Sequence, residues 1–341
     1  MCLTRLLKLL FLFTGTASFF AASLFSGLSI MCLNKLDISK TDTLHPPAGT
    51  IFPAGKSCKF AIISDSGYHE SPMFGAIRDA KKKKIDFILN LGDIARRISF
   101  AQYERLLTDL HKELGNTPFY SIPGNHDILA SGKEGLIRHK PYFQYYNRAF
   151  GPSYYWFGFG DTMFVALNTA IHKLDKPQLK WLARTLDSFR EDFNKCIIYM
   201  HIPPKDPRQG HNEIFGSGRK EFKEILSQHD ITAIFAGHLH CFSETTFAEI
   251  PLYIAPSSGQ KIRSCNPNYG YLYCQLDEMG KLDVECVFLK EKRGRKAFKA
   301  FMYESLVSTG SLMLIILLYV FSLFAFGITL LLQNKLNRHY N

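Results

Sequence analysis

The chain has 341 residues, of which 46% are hydrophobic, ample for one domain with a substantial core. Its 41 Lys and Arg against 30 Asp and Glu give a net charge of +11. This excess is concentrated rather than spread over a face with interleaved aromatics, and no nucleic-acid motif accompanies it, so nucleic acid is not an expected partner.

In chain order the first feature is an uncharged apolar stretch between Lys8 and Lys35. It exceeds the roughly 20 residues a helix needs to cross a bilayer and the roughly 7–15 of a signal-peptide core. The reading is an N-terminal transmembrane anchor or signal-anchor over 1–34, followed by a linker over 35–57 that ends in "HPPAGTIFPAGKS". A second uncharged stretch between Glu304 and Lys335 predicts a C-terminal transmembrane helix over 305–333. Before it lies a basic juxtamembrane segment, 291–304; "KEKRGRKAFK" at 290–299 reads as a contact with anionic membrane lipids or as a solvated charged turn. Counting Lys and Arg beside the two spans, eight on the domain side against four on the terminal side, points to a cytoplasmic face. A basic amino terminus before an apolar run points the other way. Six cysteines between 58 and 286 show neither a disulfide framework nor paired metal spacing.

Between these ends, over 58–290, short apolar runs recur and stop abruptly: "CKFAIIS", "IDFILNL", "PFYSI", "CIIYM" and "ITAIFA". Apolar on both faces, they read as strands in sheets covered by helices. Amphipathic stretches between them predict helices over 71–84, 100–114, 176–190 and 218–229, with Pro177 suited to a helix start. The run "KKKK" closes the first of these, where cations suit the helix dipole. "FGPSYYWFGFGDTMFVALNT", 150–169, has two aromatic or β-branched runs around "GFGD", which is hairpin chemistry.

Each of the five strand runs ends in a residue able to bind metal or phosphate: Asp65, Asp93, Asn125, His201, and the pair His238 and His240. Singly these are ordinary turn residues, but five in order at strand ends form a site. The glycines of "LGD", "PGN" and "AGH" are expected to let the backbone turn sharply there. His238 and His240, two apart, share a side only on extended backbone.

The ordered set "D…GD…GNHD…H…GHLH" resembles the calcineurin-like metallophosphoesterase superfamily over roughly 58–290. That resemblance implies an α/β fold, a four-layer α/β/β/α sandwich, here flanked by two transmembrane helices. It also implies two divalent metal ions. Carried over by position, Asp93 bridges both metals, Asn125, His201 and His238 complete one shell, and Asp65 and His240 belong to the other. Mixed nitrogen and oxygen ligation suits Mn, Fe or Zn. By the same resemblance His126 contacts the phosphate and acts as the general acid. Asp127 either orients it or caps a helix. The first motif departs from the family: Gly67 stands where many members have a metal-binding histidine, and Arg96 where some have a tyrosine. His69 is a loop residue or a substitute ligand. Arg97 is the candidate substrate-binding residue, since arginine suits bidentate phosphate recognition. Arg208 and His211 could reach the substrate from their loop, and Cys241 reads as a small buried residue.

The function expected is a membrane-anchored, metal-dependent phosphoesterase in which activated water attacks a phosphate ester or pyrophosphate. Two anchors would favour a lipid-linked substrate. The alternatives are an inactive anchored receptor for phosphorylated ligands, and a nuclease.

Overall fold

A computed structural model describes residues 2–33, 49–53, 55, 57–67, 70–95, 100–132, 135–138, 146–211, 214–260, 265–290 and 309–337. The chain divides into two compact units, one of Met1–Ser39, Ile98–Arg105 and Arg295–Asn341, the other of Lys40–Arg97 and Leu106–Gly294.

The larger unit is mixed α/β and holds two main sheets. In the first, β2 (Cys58–Ile63), β3 (Phe87–Asn90) and β4 (Phe119–Ser121) run parallel, with α2 (Glu70–Lys82) and α3 (Phe100–Leu114) in the connections. Antiparallel β13 (Gly270–Leu276) and β14 (Leu282–Phe288) complete the order β14-β13-β2-β3-β4. The second sheet has the order β1-β7-β8-β9-β10-β12-β11. Its strands are β1 (Ile51–Phe52), β7 (Tyr155–Phe159), β8 (Thr162–Leu167), β9 (Lys195–Met200), β10 (Ala233–Ala236), β11 (Ser243–Phe247) and β12 (Ile250–Ile254). Two further strands, β5 (Leu129–Gly132) and β6 (Gly135–Arg138), form a separate hairpin, following the one-turn helix α4 (Asn125–Ile128). Helices α5 (Lys176–Phe189) and α6 (Arg219–Leu226) fall between strands of the second sheet. The Asp175 side chain caps α5 by accepting from the Gln178 N–H at 3.0 Å, with Pro177 in the first turn as its fixed φ allows.

The five strand runs and four helices read from the sequence appear within a few residues of their expected limits, and "GFGD" does turn the β7–β8 hairpin. The 35–57 linker needs correction. It contains β1, which pairs in parallel with β7, Ile51 opposite Gly158. Its Pro and Gly content hid a two-residue edge strand, a place where proline is tolerated.

Aromatic rings join the sheets. Phe60 and Phe87 of the first sheet stack at 5.3 Å, and Phe164 of the second meets them edge-on at 5.4 and 5.2 Å. Tyr120 stacks on Phe157 across the same seam, centroids 3.8 Å apart. On the far face of the first sheet α2 packs against β2 and β13. The apolar stripe Leu179, Leu182 and Leu186 of α5 is buried in the same core.

Register then places the loops. Ile63, Asn90 and Ser121 lie side by side at the ends of β2, β3 and β4. Leu167, Met200, Ala236 and Ile254 do the same for β8, β9, β10 and β12. Ser64 and Ser258 exchange backbone and side-chain hydrogen bonds, the Ser258 N–H donating to Ser64 O at 2.8 Å, so both rows open onto one rim.

In the smaller unit α1 (Cys2–Leu33) packs against α7 (Thr309–Asn337). Ser322 Oγ donates to Gly15 O at 2.9 Å, and the hydroxyls of Ser23 and Tyr319 meet at 3.3 Å, so the helices run antiparallel. Among the described residues no helix is long and apolar enough to cross a membrane. This overturns the two spans expected over 1–34 and 305–333, and with them the membrane localisation and its cytoplasmic facing. Thr14, Gly15, Thr16, Ser18 and Ser23 interrupt the apolar run of α1. The basic segment 291–304 lies outside the described residues.

Replacing Phe87 with Ala is expected to lower unfolding free energy by about 3–5 kcal/mol, because its ring fills the seam between the sheets. Urea denaturation of the variant checks this, and a loss below about 1 kcal/mol would mean the seam closes without it.

Candidate metal centre

Asp65 and Asp93 follow β2 and β3 directly, and both are buried. Their backbones are left-handed, φ 53° and 54°, as are those of His238 and His240, at 67° and 54°. This conformation is uncommon outside glycine, and Asp, Asn and His tolerate it best. It turns each side chain back over the rim. Extended backbone was the expected device for aiming His238 and His240 together, and the structure uses two left-handed residues instead.

The glycines before these residues act in two ways. Gly92 has φ +94°, as expected for a sharp turn, and a Cβ there would also lie 2.4 Å from Gly124 N. Gly124 and Gly237 serve close approach: added Cβ atoms would come within 2.1 Å of Asp93 Oδ1 and 2.0 Å of Ser64 Oγ.

Around this frame the acceptors converge. Asp65, Asp93 and His201 offer ligand atoms that all lie within 4.8 Å of one another. His201 Nδ1 is 2.7 Å from the Leu91 carbonyl, which can only accept, so Nδ1 carries the proton. The bare Nε2 then faces Asn125 Oδ1 at 3.0 Å and Asp93 Oδ1 at 3.5 Å. Burial lowers the pKa of His201, against the opposing pull of Asp65, so the ring is neutral and Nε2 offers a lone pair to this cluster. Asp65 Oδ1 is buried without a hydrogen bond, 3.2 Å from His240 Nε2. Its Oδ2 accepts from Ser64 Oγ at 2.5 Å and the His238 N–H at 2.9 Å. His238 packs beside His201, ring centroids 5.2 Å apart, and burial with that neighbour lowers its pKa to about 2.

The two carboxylates divide the electrostatic burden. Burial opposes ionisation of Asp65, but the facing His240, then His201 and the Ser64 hydroxyl, hold it below the usual range. Burial and the Asp65 charge push Asp93 well above that range, against the His126 N–H bond. Without a cation the pair does not carry two charges. Lone pairs that face one another, neutral imidazoles and two buried carboxylates are the surroundings a divalent ion fits.

His126 sits at the start of α4, its N–H donating to Asp93 Oδ1 at 2.8 Å and its Nε2 3.9 Å from Asp93 Oδ2. Its side chain is 27% exposed and so is reachable from solvent. Asp127 neither orients this imidazole nor caps a helix in the ordinary way. Its carboxylate accepts from the N–H groups of Asp93 and Gly124 at 2.8 Å and of Ala95 at 2.9 Å, fastening the two motif loops together. Burial and the Asp93 charge push its pKa up to about 7.

The structure brings together Asp65, Asp93, Asn125, His126, His201, His238 and His240. Arg97, Arg96 and His69 lie outside the described residues. Arg208 pairs with Asp206 through Nε and a terminal nitrogen at 3.0 and 2.8 Å, and His211 is exposed. Cys241 is buried, as expected, and is also the disulfide partner of Cys265, a pairing the sequence did not suggest. The pairing was invisible because the loops meet only in three dimensions. Beside it Asn266 accepts from the Phe242 N–H at 3.1 Å and donates to His240 O at 3.0 Å.

Sequence reasoning also passed over His172, whose ring meets His238 edge-on at 5.4 Å, and Gln260, buried beside Asp93. Both lie on loops after strands of the second sheet. Only that sheet's register could have pointed to them.

Residues 58–242 match the family described as calcineurin-like phosphoesterase, more than half of the chain, and the chain belongs to that family. Membership bears out the expectation of a phosphoric ester hydrolase class, one that depends on paired metals. A probable glycerophosphodiester phosphodiesterase, GpdQ, of Arcobacter nitrofigilis is 26% identical over 189 residues, covering 53% of this chain and 66% of that protein. The serine/threonine-protein phosphatase CPPED1 of Mus musculus is 23% identical over 193 residues, covering 52% and 60%. A probable cyclic nucleotide phosphodiesterase of Psychrobacter is 22% identical over 234 residues, covering 62% and 65%. The chain thus spans less than two thirds of the length of each of these curated relatives. Among solved structures it is similar to a dimetal phosphatase from Danio rerio, 15% identical with a TM-score of 0.48, covering 64% of this chain and 92% of that one.

Gly237→Ala is expected to lose about 1–3 kcal/mol of stability, since its Cβ has only Ser64 Oγ and Asp65 to displace. Gly216→Ala, with nothing within 4 Å, is expected to change stability by less than about 0.5 kcal/mol. Thermal unfolding of the two variants compares them, and equal losses would refute the close-approach argument.

Proposed function

We propose that this protein is a metal-dependent phosphodiesterase whose centre is built from Asp65, Asp93, Asn125, His201, His238 and His240, within a catalytic domain spanning about 58–290. One observation carries the reading. The bare His201 Nε2 faces Asn125 Oδ1 at 3.0 Å and Asp93 Oδ1 at 3.5 Å, beside the buried Asp65 carboxylate. Asp93 shares one cluster with Asp65 and His201, so its carboxylate would be available to both ions. His201 and His238 stand together, supporting one shell with Asn125, while His240 faces Asp65 and supports the second. Nitrogen and oxygen donors together favour Mn, Fe or Zn over Ca or Mg. The names of two relatives, each a probable phosphodiesterase, favour a diester over a monoester.

Bound ions at such a centre supply positive charge to the phosphoryl oxygens and make water a nucleophile at neutral pH. The chain's residues do the rest. Asp65 and Asp93 are held at the rim by backbone and hydroxyl donors before substrate arrives, so their geometry costs little during reaction. His126 stands at the exposed edge of Asp93, where its imidazolium can give a proton to the departing alkoxide. Arg97, four residues beyond Asp93, is the proposed phosphate contact. The lipid-linked substrate rested on two membrane spans and is not carried forward.

Hydrolysis of bis(p-nitrophenyl) phosphate and p-nitrophenyl phosphate is measured with Mn supplied and after its removal. Metal-dependent turnover faster on the diester is expected, and His126→Ala should lower kcat by about 10²–10⁴-fold with bound metal unchanged. Turnover that survives metal removal, or an unaltered rate in the His126 variant, would overturn the reading. Two bound ions with no turnover on either ester would favour a receptor for phosphorylated ligands.

A further inference from the structure

Position 67 has no side chain, and the space beside it is filled. A Cβ on Gly67, φ +57°, would come within 2.5 Å of Gln260 Cγ and 3.2 Å of its Cδ and Nε2. The Gln260 side chain therefore occupies the volume that any residue larger than glycine at 67 would need. It is 4% exposed, a polar group buried at the centre of the rim.

Its backbone is fixed to one ligand and its side chain points at the other. The Gln260 N–H donates to Asp65 O at 2.8 Å. Ser257 Oγ lies 2.9 Å from both Asp65 O and Gln260 O, clamping the 257–260 turn onto the Asp65 loop. The amide then reaches Asp93, with Nε2 3.4 Å from Oδ2 and 3.5 Å from the main-chain O. Both are long for N–H···O bonds, which centre near 2.9–3.0 Å. A buried primary amide with two long contacts is poorly used as a donor. Its oxygen and nitrogen exchange places by a half-turn of the amide plane, and which one borders Asp93 is set by what else is bound there.

We propose that Gln260 is a ligand of the metal ion held by Asp65 and Asp93, its amide oxygen supplying the donor that position 67 lacks. The inference rests on the dimetal centre proposed above. The chemistry is that of Asn125 on the other side of Asp93: a neutral oxygen donor completes a shell without adding a third negative charge to two buried carboxylates. Asp65, Asp93, His240 and Gln260 then make a four-donor site from four different loops. The same placement explains why a glycine precedes the site on β2's side, since a residue with a side chain would expel the amide.

The test reads bound metal rather than activity. The full chain is equilibrated at graded free Mn²⁺ and bound Mn is counted by mass spectrometry, for wild type, Gln260→Met, Gln260→Glu, and Gly67→His combined with Gln260→Ala. Methionine keeps the length and bulk of the side chain but offers only a thioether, a poor partner for Mn²⁺. Wild type is expected to take up two ions. Gln260→Met should keep one with unchanged affinity and bind the other about 10–100-fold more weakly, the range seen when support of a metal ligand is lost. Gln260→Glu should hold both. In the double variant a histidine enters the vacated volume from the opposite side, and the second ion should return. Two ions bound by Gln260→Met as tightly as by wild type would overturn the proposal and leave the dimetal reading intact. Fewer than two ions on wild type at saturating Mn²⁺ would overturn both.

Discussion

Two carboxylates buried side by side are the constraint from which the rest of this molecule is arranged. Asp65 and Asp93 sit at the ends of neighbouring parallel strands, and neither reaches bulk water. Removing such charges from solvent is costly unless donors or cations replace it. The chain brings polar groups from several directions: the Ser64 hydroxyl, the His238 N–H and the His240 imidazole to Asp65, and the His126 N–H to Asp93. Even so, burial and mutual repulsion leave Asp93 well above its usual pKa. The remaining deficit is what a divalent ion relieves.

The loops at this rim come from both sheets, and small polar groups hold them in common alignment. Asp127 joins the turn after β3 to the turn after β4 through three backbone N–H groups. Ser257 and Ser258 join the turn after β12 to the Asp65 turn. Asn266 and the Cys241–Cys265 bridge hold the segment after His240. Each tie fastens a loop that carries a rim residue to its neighbour. The aromatic seam below supplies the platform on which these tied loops rest.

Much of the arrangement was legible in the sequence because two independent signals coincided. Apolar runs such as "CKFAIIS" and "ITAIFA" marked strands, and a metal-capable residue closed each one. Strand ends in parallel sheets gather at one edge, so the order alone brought Asp65, Asp93, Asn125, His201 and the paired histidines together. What escaped notice had no local pattern. Gln260 lies in "SSGQK", which reads as a plain loop, and becomes part of the rim only through the pairing of β10 with β12. Cys241 and Cys265 are 24 residues apart with nothing in their spacing to connect them. The apolar ends misled for a different reason: absence of charge is a property of composition. The described runs of α1 and α7 show hydroxyls and glycine at the helix contact, with Ser322 bonded to Gly15.

The left-handed backbone at Asp65, Asp93, His238 and His240 limits the routes by which this centre can change. Aspartate and histidine bind metal and also tolerate that conformation, so one demand on these positions conceals the other. A glutamate, placing the same carboxylate on a longer arm, must adopt a backbone state less suited to it. A β-branched residue fares worse still. Exchange of ligand type at these four positions is thus screened by the main chain before any metal is consulted. Diversification of substrate would then fall to the surrounding loops, while these four positions change only among residues that tolerate the conformation.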